Sequence, residues 1–293
     1  ILLENNRVKK IIEFSEAKKE EINIKLCNSG VMAINSNLLK KNIGKINNKN
    51  SKGEYFLTDL VHILNDQKKV ITHQKSNYNE TLGVNDRRDL SEVDELFQVY
   101  LKQKILKKGV SLIKPSTIYL SYDTKIGTDS SIYPNVVIGK NVVIGSNVVI
   151  KSFCHLEDVE IKNNAEIGPF ARIRASTIIE DSAKIGNFVE IKKSKVNNST
   201  KIAHLSYIGD SNIGKNSNIG AGTITCNYDG KKKNRTIIGD NCFIGSNSSL
   251  IAPIEIKDDS IVGAGTVLKS DISSGTTVFR KSELVKKKNI IKK

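Results

Sequence analysis

Beyond residue 110, an apolar side chain returns at every sixth position, which is the period of neither a helix nor a single strand. Residues 135–153 read NVVIGKNVVIGSNVVIKSF, with Ile138, Ile144 and Ile150 six positions apart. An α-helix repeats about every 3.6 residues and a strand about every 2. A six-residue unit fits a short strand plus a turn, and three such units close one rung of a coil whose stacked rungs share a core. The repeat therefore predicts a parallel β-helix.

The repeat continues with three slips of one residue and one long interruption. Its apolar positions run from Ile126 to Leu156, Ile161 to Ile191, Val196 to Ile208, Ile213 to Ile219 and Ile238 to Leu268. Glycine often follows the apolar residue, and we expect it to supply the unusual backbone angles of a turn. The interruption, AGTITCNYDGKKKNRT, lies within about 220–237 and predicts a loop that protrudes from the coil.

The residues before 110 follow other patterns. Residues 7–14 and 22–34 are apolar enough for strands, and helical spacing of apolar residues predicts a helix over 54–66. Residues 87–108 carry an apolar stripe and end at Lys-Lys-Gly, a typical helix stop.

These patterns divide the chain into four parts. We expect an α/β remnant over 1–86, a helical linker over 87–109, a β-helix over 110–281 and a basic tail over 282–293.

The net charge of +15 does not by itself indicate nucleic-acid binding. A nucleic-acid surface would combine clustered basic residues with aromatics, whereas aromatics are only 5% and the basic residues are scattered except near the C-terminus. Anionic small molecules suit the charge equally well.

Neither a membrane span nor a disulfide framework is expected. The chain has no apolar run of about 18 residues. Its four cysteines lie far apart in sequence, which favours a reducing cytoplasm. They are Cys27, Cys154, Cys226 and Cys242.

His204 is the histidine whose neighbours favour catalysis. It lies in STKIAHLSYIGD, with Tyr207 three residues later. Arg174 and Lys192 are 18 residues apart, about one rung, so they should stack as a cationic pair that suits a phosphate. A neutral histidine nearby is suited to act as a general base. The spacing alone is equally compatible with a solvated ladder of charges.

The other histidines, His62, His73 and His155, are expected to be structural or surface residues. The repeat region contains only His155 and His204, 49 residues apart, so histidines on adjacent rungs do not make a metal site there.

Several segments resemble one bacterial enzyme family. GNFVEIKKS, HLSYIGD and NIGAGTITCNYDG are similar to the acetyltransferase domain of the bifunctional N-acetylglucosamine-1-phosphate uridyltransferase / glucosamine-1-phosphate acetyltransferases. GEYFLTD and GVNDR resemble the end of their uridyltransferase domain, so the resemblance covers nearly the whole chain. It implies a left-handed β-helix, acetyl-CoA as cosubstrate and a homotrimer with shared sites. It also implies a cytoplasmic role in making UDP-N-acetylglucosamine for peptidoglycan and lipopolysaccharide.

The resemblance also implies roles for single residues. His204 of HLSY corresponds to the base that deprotonates the amine of glucosamine 1-phosphate, and backbone N–H groups of IGAGT are candidates to stabilise the oxyanion. The sugar-phosphate contacts correspond to Arg174, Lys192, Tyr207, Asn218 and Lys233. The acetyl-CoA contacts correspond to Ala221, Asn227, Tyr228, Ser246, Ala264 and Lys281, with Lys281 in place of the family's arginine and Arg280 beside it.

Only the end of the uridyltransferase domain has a counterpart here. Glu13 and Asn28 correspond to acetamido-sugar contacts, and Asn85 to a sugar and magnesium ligand. The family's Gly-rich nucleotide loop and metal-binding aspartate have no counterpart. Because the chain also lacks an initiator Met, we expect it to begin inside a longer bifunctional protein that uses UTP and Mg²⁺, and to lack uridyl transfer itself.

Two alternatives stay open. Another hexapeptide-repeat acyltransferase, acting on serine or a sugar nucleotide, would share the coil and the histidine. A non-catalytic β-helix would need neither His204 nor the protruding loop.

Overall fold

The computed structural model of this protein describes residues 1–281. By its internal contacts the chain divides into two compact units, and the division falls between Leu96 and Phe97. The predicted basic tail, 282–293, lies outside the described residues. Within residues 1–281, no helix combines the length and apolarity needed to cross a membrane.

The first unit contains one small antiparallel sheet and short helices. Val8 on the second strand and Leu60, Val61 and Leu64 on the second helix are its most deeply buried apolar side chains. The strands are Leu2–Glu4 and Arg7–Lys10, and the α-helices are α1 (Ser36–Asn42), α2 (Asp59–Asp66) and the start of α3 (Arg87–Leu106). Single 3₁₀ turns cover Phe14–Glu16, Ile43–Lys45 and Tyr78–Glu80.

Three sequence predictions in this unit need correction. The strand expected over 7–14 ends at Lys10, and residues 22–34 form no strand. No described strand pairs with 22–34, and an extended segment without a partner does not form stable sheet. The helix expected over 54–66 begins only at Asp59, whereas the long helix expected over 87–108 is confirmed as α3.

The C-terminal part of α3 packs on the first rung of the second unit. Gln98 Nε2 donates to Leu120 O at 2.8 Å, and Leu120 N donates to Gln98 Oε1 at 3.0 Å. Leu101 and Ile105 are buried in the same core as the coil. The Gln98 amide therefore satisfies backbone groups of a terminal strand that would otherwise lack a partner on that side.

The second unit is a parallel β-helix, as the six-residue repeat predicts, and it is left-handed, as the family resemblance implies. Its first face is a ten-stranded parallel sheet. The strands of this face are Ser111–Leu112, Ser131–Ile132, Val149–Ile150, Glu166–Ile167, Lys184–Asn187, Lys201–His204, Asn218–Ile219, Phe243–Ile244, Ile261–Val262 and Thr277–Val278.

The other two faces share strands that bend around a corner. The strands of the second face are Tyr119–Leu120, Val137–Ile138, His155–Ile161, Arg172–Ile179, Glu190–Lys192, Tyr207–Gly209, Ile224–Cys226, Ser249–Ile251 and Val267–Leu268. The third face comprises the ends of His155–Ile161 and Arg172–Ile179 together with Lys125–Ile126, Val142–Ile144, Lys195–Val196, Ser211–Ile213, Thr236–Ile238 and Ile254–Ile256. A 3₁₀ turn covers Pro115–Thr117.

The six-residue repeat points inward as predicted. Ile173, Ile191 and Ile208 are paired in register on successive rungs, and each is 0% exposed. Burying a side chain of this size contributes roughly 1.5–3 kcal/mol relative to exposure. The stacked apolar ladder is thus the main source of the coil's stability.

The glycines that follow the apolar residues were predicted to supply unusual backbone angles, but their structural role is different. Among these glycines only Gly168 has a positive φ. The left-handed corners instead fall on residues such as Asn135, Asn141 and Asn147, a residue type that tolerates this conformation. Close approach of rungs explains the glycines, since a Cβ at Gly186 would lie 1.9 Å from Ala203 O.

Candidate functional site

His204 ends a strand of the first face, at the corner where the chain turns to the second. Its Nδ1 contacts Oδ1 of Asn187, the residue paired with it on the preceding rung. Its backbone oxygen accepts hydrogen bonds from Ser206 Oγ at 2.9 Å and Gly222 N at 3.3 Å. The backbone is therefore fixed while the side chain is exposed, which leaves Nε2 available to a ligand.

Small residues follow His204 along the same row of the first face. Hydrogen bonds from Gly222 N to His204 O, Asn247 N to Ala221 O and Gly265 N to Ser246 O fix the order of the rungs. The row consists of His204, Ala221, Ser246 and Ala264. It can accommodate an extended ligand along several rungs without steric hindrance.

Arg280, and not Lys281, continues this row. Val262 pairs with Val278, and a Cβ at Gly263 would lie 2.6 Å from Phe279 Cβ, so the next residue in register after Ala264 is Arg280. Four rung steps separate it from His204, which is roughly 19 Å at about 4.8 Å per step. The row thus has an imidazole at one end and a guanidinium at the other.

Two cations of the second face, Arg174 and Lys192, lie beside a third, Lys233, from the protruding loop. Arg174 and Lys192 are paired in register, which confirms the stacking predicted from their spacing. The pKa of Lys192 is lowered, first by its close contact with the amino group of Lys233, then by loss of hydration and by the charges of Lys233 and Arg174. Like charges held this close favour binding of an anion such as a phosphate.

Two carboxylates limit the positive charge of this cluster. Glu190 Oε1 accepts from Arg174 Nε at 2.9 Å and lies 2.7 Å from Nη2 of the same guanidinium. Asp210 acts on the pKa of Lys192 in the opposite direction from the cations. Lys192 and Lys233 are therefore the cations with less local neutralisation.

Tyr207 and Asn227 border the cluster. A Cβ at Gly209 would lie 2.6 Å from both Tyr207 Oη and Asn227 Nδ2, so the glycine makes room for these two polar groups. Gly209 itself is paired with Lys192. Asn227 Nδ2 donates to Asp210 Oδ2 at 2.5 Å, which ties the start of the loop to the cationic cluster.

The protruding loop is shorter than predicted. Residues 224–226 remain a strand of the second face, so the chain leaves the coil only at Asn227 and returns at Thr236. Within the loop Tyr228 and Lys233 form an antiparallel bridge, and Tyr228 Oη donates to Gly230 O at 2.7 Å. The loop is thus a folded hairpin that positions Lys233.

Asp229 is the centre of this hairpin. Its carboxylate accepts from Lys231 N, Lys232 N and Asn234 Nδ2, each at 2.8 Å. These hydrogen bonds, those from the Lys232 and Lys231 amides first, lower the pKa of Asp229 to about 2.

In acid, the hairpin should therefore lose the stabilisation that the ionised carboxylate of Asp229 provides. The folded pKa of Asp229 lies below the model-compound value of 3.8, so its stabilisation is complete above 3.8 and disappears as the pH falls through about 2. We expect the amide proton shifts of Lys231 and Lys232 to titrate with a midpoint well below 3.8. In Asp229→Ala the same shifts should be independent of pH in this range; a titration that persists in this variant would contradict the assignment.

Asn218 lies on the first face, one rung after Lys201.

A groove of about 320 Å³ opens beside His204 on the opposite side from Ala221. Its lining includes Lys151, Glu166, Lys184 and Lys201.

The turn expected to stabilise an oxyanion has few free donors. Gly220 N donates to Ile244 O at 2.7 Å, and Gly222 N donates to His204 O at 3.3 Å. These two amides are thus already engaged in holding the rungs together.

The residues predicted to bind an acetamido sugar each have a local hydrogen-bond partner in the first unit. Glu13 Oε1 accepts from Thr58 Oγ1 at 2.9 Å, and Asn28 Oδ1 accepts from Gly30 N at 3.2 Å. Asn85 N donates to Asp89 Oδ2 at 3.0 Å. Within residues 1–281, no group of three or more His, Cys, Asp or Glu residues is arranged to hold a metal ion. The role of Asn85 as a magnesium ligand stays a prediction.

Sequence reasoning did not assign a role to Asn187, Glu190 or Asp210. Asn187 is 17 residues before His204, and Glu190 is 17 before Tyr207, so each is one rung away. Counting back one rung from the predicted site residues would have identified both. Asp210 is likewise 17 residues before its partner Asn227, so the same count would also have identified it.

Three family models match consecutive parts of the coil. The family described as "Bacterial transferase hexapeptide (six repeats)" matches residues 123–157, "GMPPB C-terminal domain" matches 155–241, and "Hexapeptide repeat of succinyl-transferase" matches 235–270. LpxA from Acinetobacter baumannii, a solved structure, is 17% identical, with a TM-score of 0.49 over 58% of this chain and 71% of that one.

Curated relatives match almost the whole chain. "Bifunctional protein GlmU" of Zymomonas mobilis is 45% identical over 94% of this chain and 61% of its own length. GlmU of Wolbachia pipientis wMel is 43% identical over 98% of this chain and 67% of its own length. The chain belongs to the GlmU family. It spans about three fifths of the length of GlmU from Zymomonas mobilis and Paramagnetospirillum magneticum, at 61% and 62%.

Proposed function

We propose that this chain transfers an acetyl group from acetyl-CoA to the amine of glucosamine 1-phosphate, giving N-acetylglucosamine 1-phosphate. The observation that carries the proposal is that the chain presents two different sets of side chains, one on each side of the corner at Leu205. On one side lies His204 at the head of a row of small residues, and on the other lies the cluster of Arg174, Lys192 and Lys233. Membership of the GlmU family supports the same reaction.

The two sets of side chains fit the two substrates. The row from Ala221 through Ser246 and Ala264 suits the extended arm of acetyl-CoA, with Arg280 near its anionic phosphates. Asn227 and Tyr228 of the hairpin complete this cosubstrate site. The cationic cluster, with Tyr207 and Asn218, suits the sugar phosphate of the acceptor.

His204 supplies the proton transfer in this reaction. Its Nε2 takes a proton from the acceptor nitrogen as that nitrogen bonds to the thioester carbon. The same imidazolium then gives a proton to the departing sulfur, so the base is regenerated and free thiol is released. A positioned base of this kind contributes roughly 10²–10⁴-fold to the rate.

The proposal extends to the whole protein. We propose a cytoplasmic homotrimer in the synthesis of UDP-N-acetylglucosamine, in which the acetyl-transfer sites are shared between neighbouring coils. The described cysteines are free thiols, which fits a reducing compartment. The full-length parent is proposed to use UTP and Mg²⁺ for uridyl transfer as well. An active chain that sediments as a monomer would contradict the trimer.

Thiol release tests the proposed reaction. The purified chain is mixed with acetyl-CoA and either glucosamine 1-phosphate, glucosamine or serine, and free thiol is followed with time. We expect release with glucosamine 1-phosphate and little with glucosamine, because only the phosphate engages the cations. Release with serine but not with glucosamine 1-phosphate would favour the alternative acyltransferase.

Lys192→Met tests the phosphate contact separately. Hydrogen bonds to charged groups contribute about 1.5–3 kcal/mol, so the KM for glucosamine 1-phosphate should rise roughly 10- to 100-fold. Lys193→Met is the matched control, since Lys193 is exposed at the adjacent corner. Equal effects of the two substitutions would indicate that general positive charge, and not this cluster, binds the acceptor.

A further inference from the structure

Asn187 is the side chain that contacts the inner ring nitrogen of His204. We propose that Asn187 is a positioning residue that holds His204 in the tautomer with the proton on Nδ1, so that Nε2 is the free proton acceptor. This inference rests on the proposed function, in which Nε2 accepts the proton of the attacking amine.

The backbone brings the two side chains together. Asn187 and His204 end neighbouring parallel strands in register, and Leu205 N donates to Asn187 O at 3.0 Å directly beside them. Gly186 allows this approach, because a Cβ there would lie 1.9 Å from Ala203 O. The contact is therefore built into the register of the coil.

The chemistry of the amide selects the tautomer. Oδ1 of an asparagine only accepts hydrogen bonds, so the ring nitrogen that faces it must carry the proton. A neutral imidazole carries one N–H, which leaves the lone pair on Nε2. Unlike a carboxylate, the amide orients the ring without adding a negative charge that would favour the protonated, inactive base.

The neighbouring rungs offer no comparable partner in this row. Pro169 precedes Asn187 and Ala221 follows His204, and neither side chain forms hydrogen bonds. In the adjacent groove, the carboxylate of Glu166 is paired with Lys151 and lies 3.8 Å from Lys184 Nζ. Within the described residues, Asn187 is thus the side chain with a hydrogen bond to the imidazole ring of His204.

Two substitutions separate positioning from packing. Asn187→Leu keeps the size of the side chain but removes the acceptor, whereas Asn187→Asp keeps an acceptor oxygen. We expect Asn187→Leu to lower kcat for acetyl transfer roughly 10- to 100-fold with KM values nearly unchanged. Asn187→Asp should recover most of the lost kcat at alkaline pH, where the ring is neutral in spite of the added carboxylate. Wild-type kcat in Asn187→Leu, or an equal loss in both variants at alkaline pH, would overturn the proposal.

Nitrogen-15 NMR of the imidazole reads the tautomer without any turnover. In the wild-type chain the His204 shifts should be those of the Nδ1–H form, and in Asn187→Leu they should move towards the Nε2–H form that free imidazole side chains favour. An Nε2–H ring in the wild type would overturn the inference. Failure of the wild type to release thiol would instead contradict the proposed function, and the ring shifts would still report on Asn187.

Discussion

His204→Ala should lower kcat for acetyl transfer by roughly 10²–10⁴-fold, the usual contribution of a positioned base. The loss should appear in kcat more than in KM, because the imidazole acts on the acceptor nitrogen mainly as its bond to carbon forms. Thiol release from acetyl-CoA, initiated with glucosamine 1-phosphate, measures both parameters.

His155→Ala is the matched control for this experiment. His155 is also exposed on the coil, but it lies on the second face between Val137 and Arg172, away from the row of His204. We expect its replacement to leave kcat and KM within about two-fold of wild type, as is common for surface substitutions. An active His204→Ala, or an equally inactive His155→Ala, would remove His204 from the reaction.

Ile191→Ala should destabilise the β-helix by about 2–5 kcal/mol. Ile191 is 0% exposed and is packed between Ile173 and Ile208 on the rungs before and after it. Removing three carbons there leaves a cavity that rigid neighbouring rungs do not fill. Urea unfolding followed by circular dichroism gives the change in the free energy of unfolding from the shift in midpoint.

Ile261→Ala makes the same chemical change on the outside of the coil. Ile261 is 44% exposed on the first face, so its truncation should cost less than about 1 kcal/mol. If the two variants unfold at the same denaturant concentration, the apolar ladder is not what stabilises the coil.

The coil was predictable from sequence because its determinant is local and repeated. Each rung buries the same type of residue at the same spacing, so Ile173, Ile191 and Ile208 could be assigned inward without knowing any long-range contact. The stacking of Arg174 on Lys192 followed from the same arithmetic, since one rung is about 18 residues. The first unit has no such repeat. Whether residues 22–34 form a strand depends on a pairing partner, which the sequence does not specify.

The arrangement of the site was decided by register and by the loop. The pairing of Val262 with Val278 places Arg280, one residue before Lys281, in the row of His204. The approach of Lys233 to Lys192 depends on the hairpin around Asp229, a fold outside the period. Sequence by itself determined the coil, because a short repeat fixes which side chain of each six is buried. It also determined the types of polar side chain that the coil carries. Only the tertiary structure decided which polar groups meet, because contacts across rungs and loops depend on register to within a single residue.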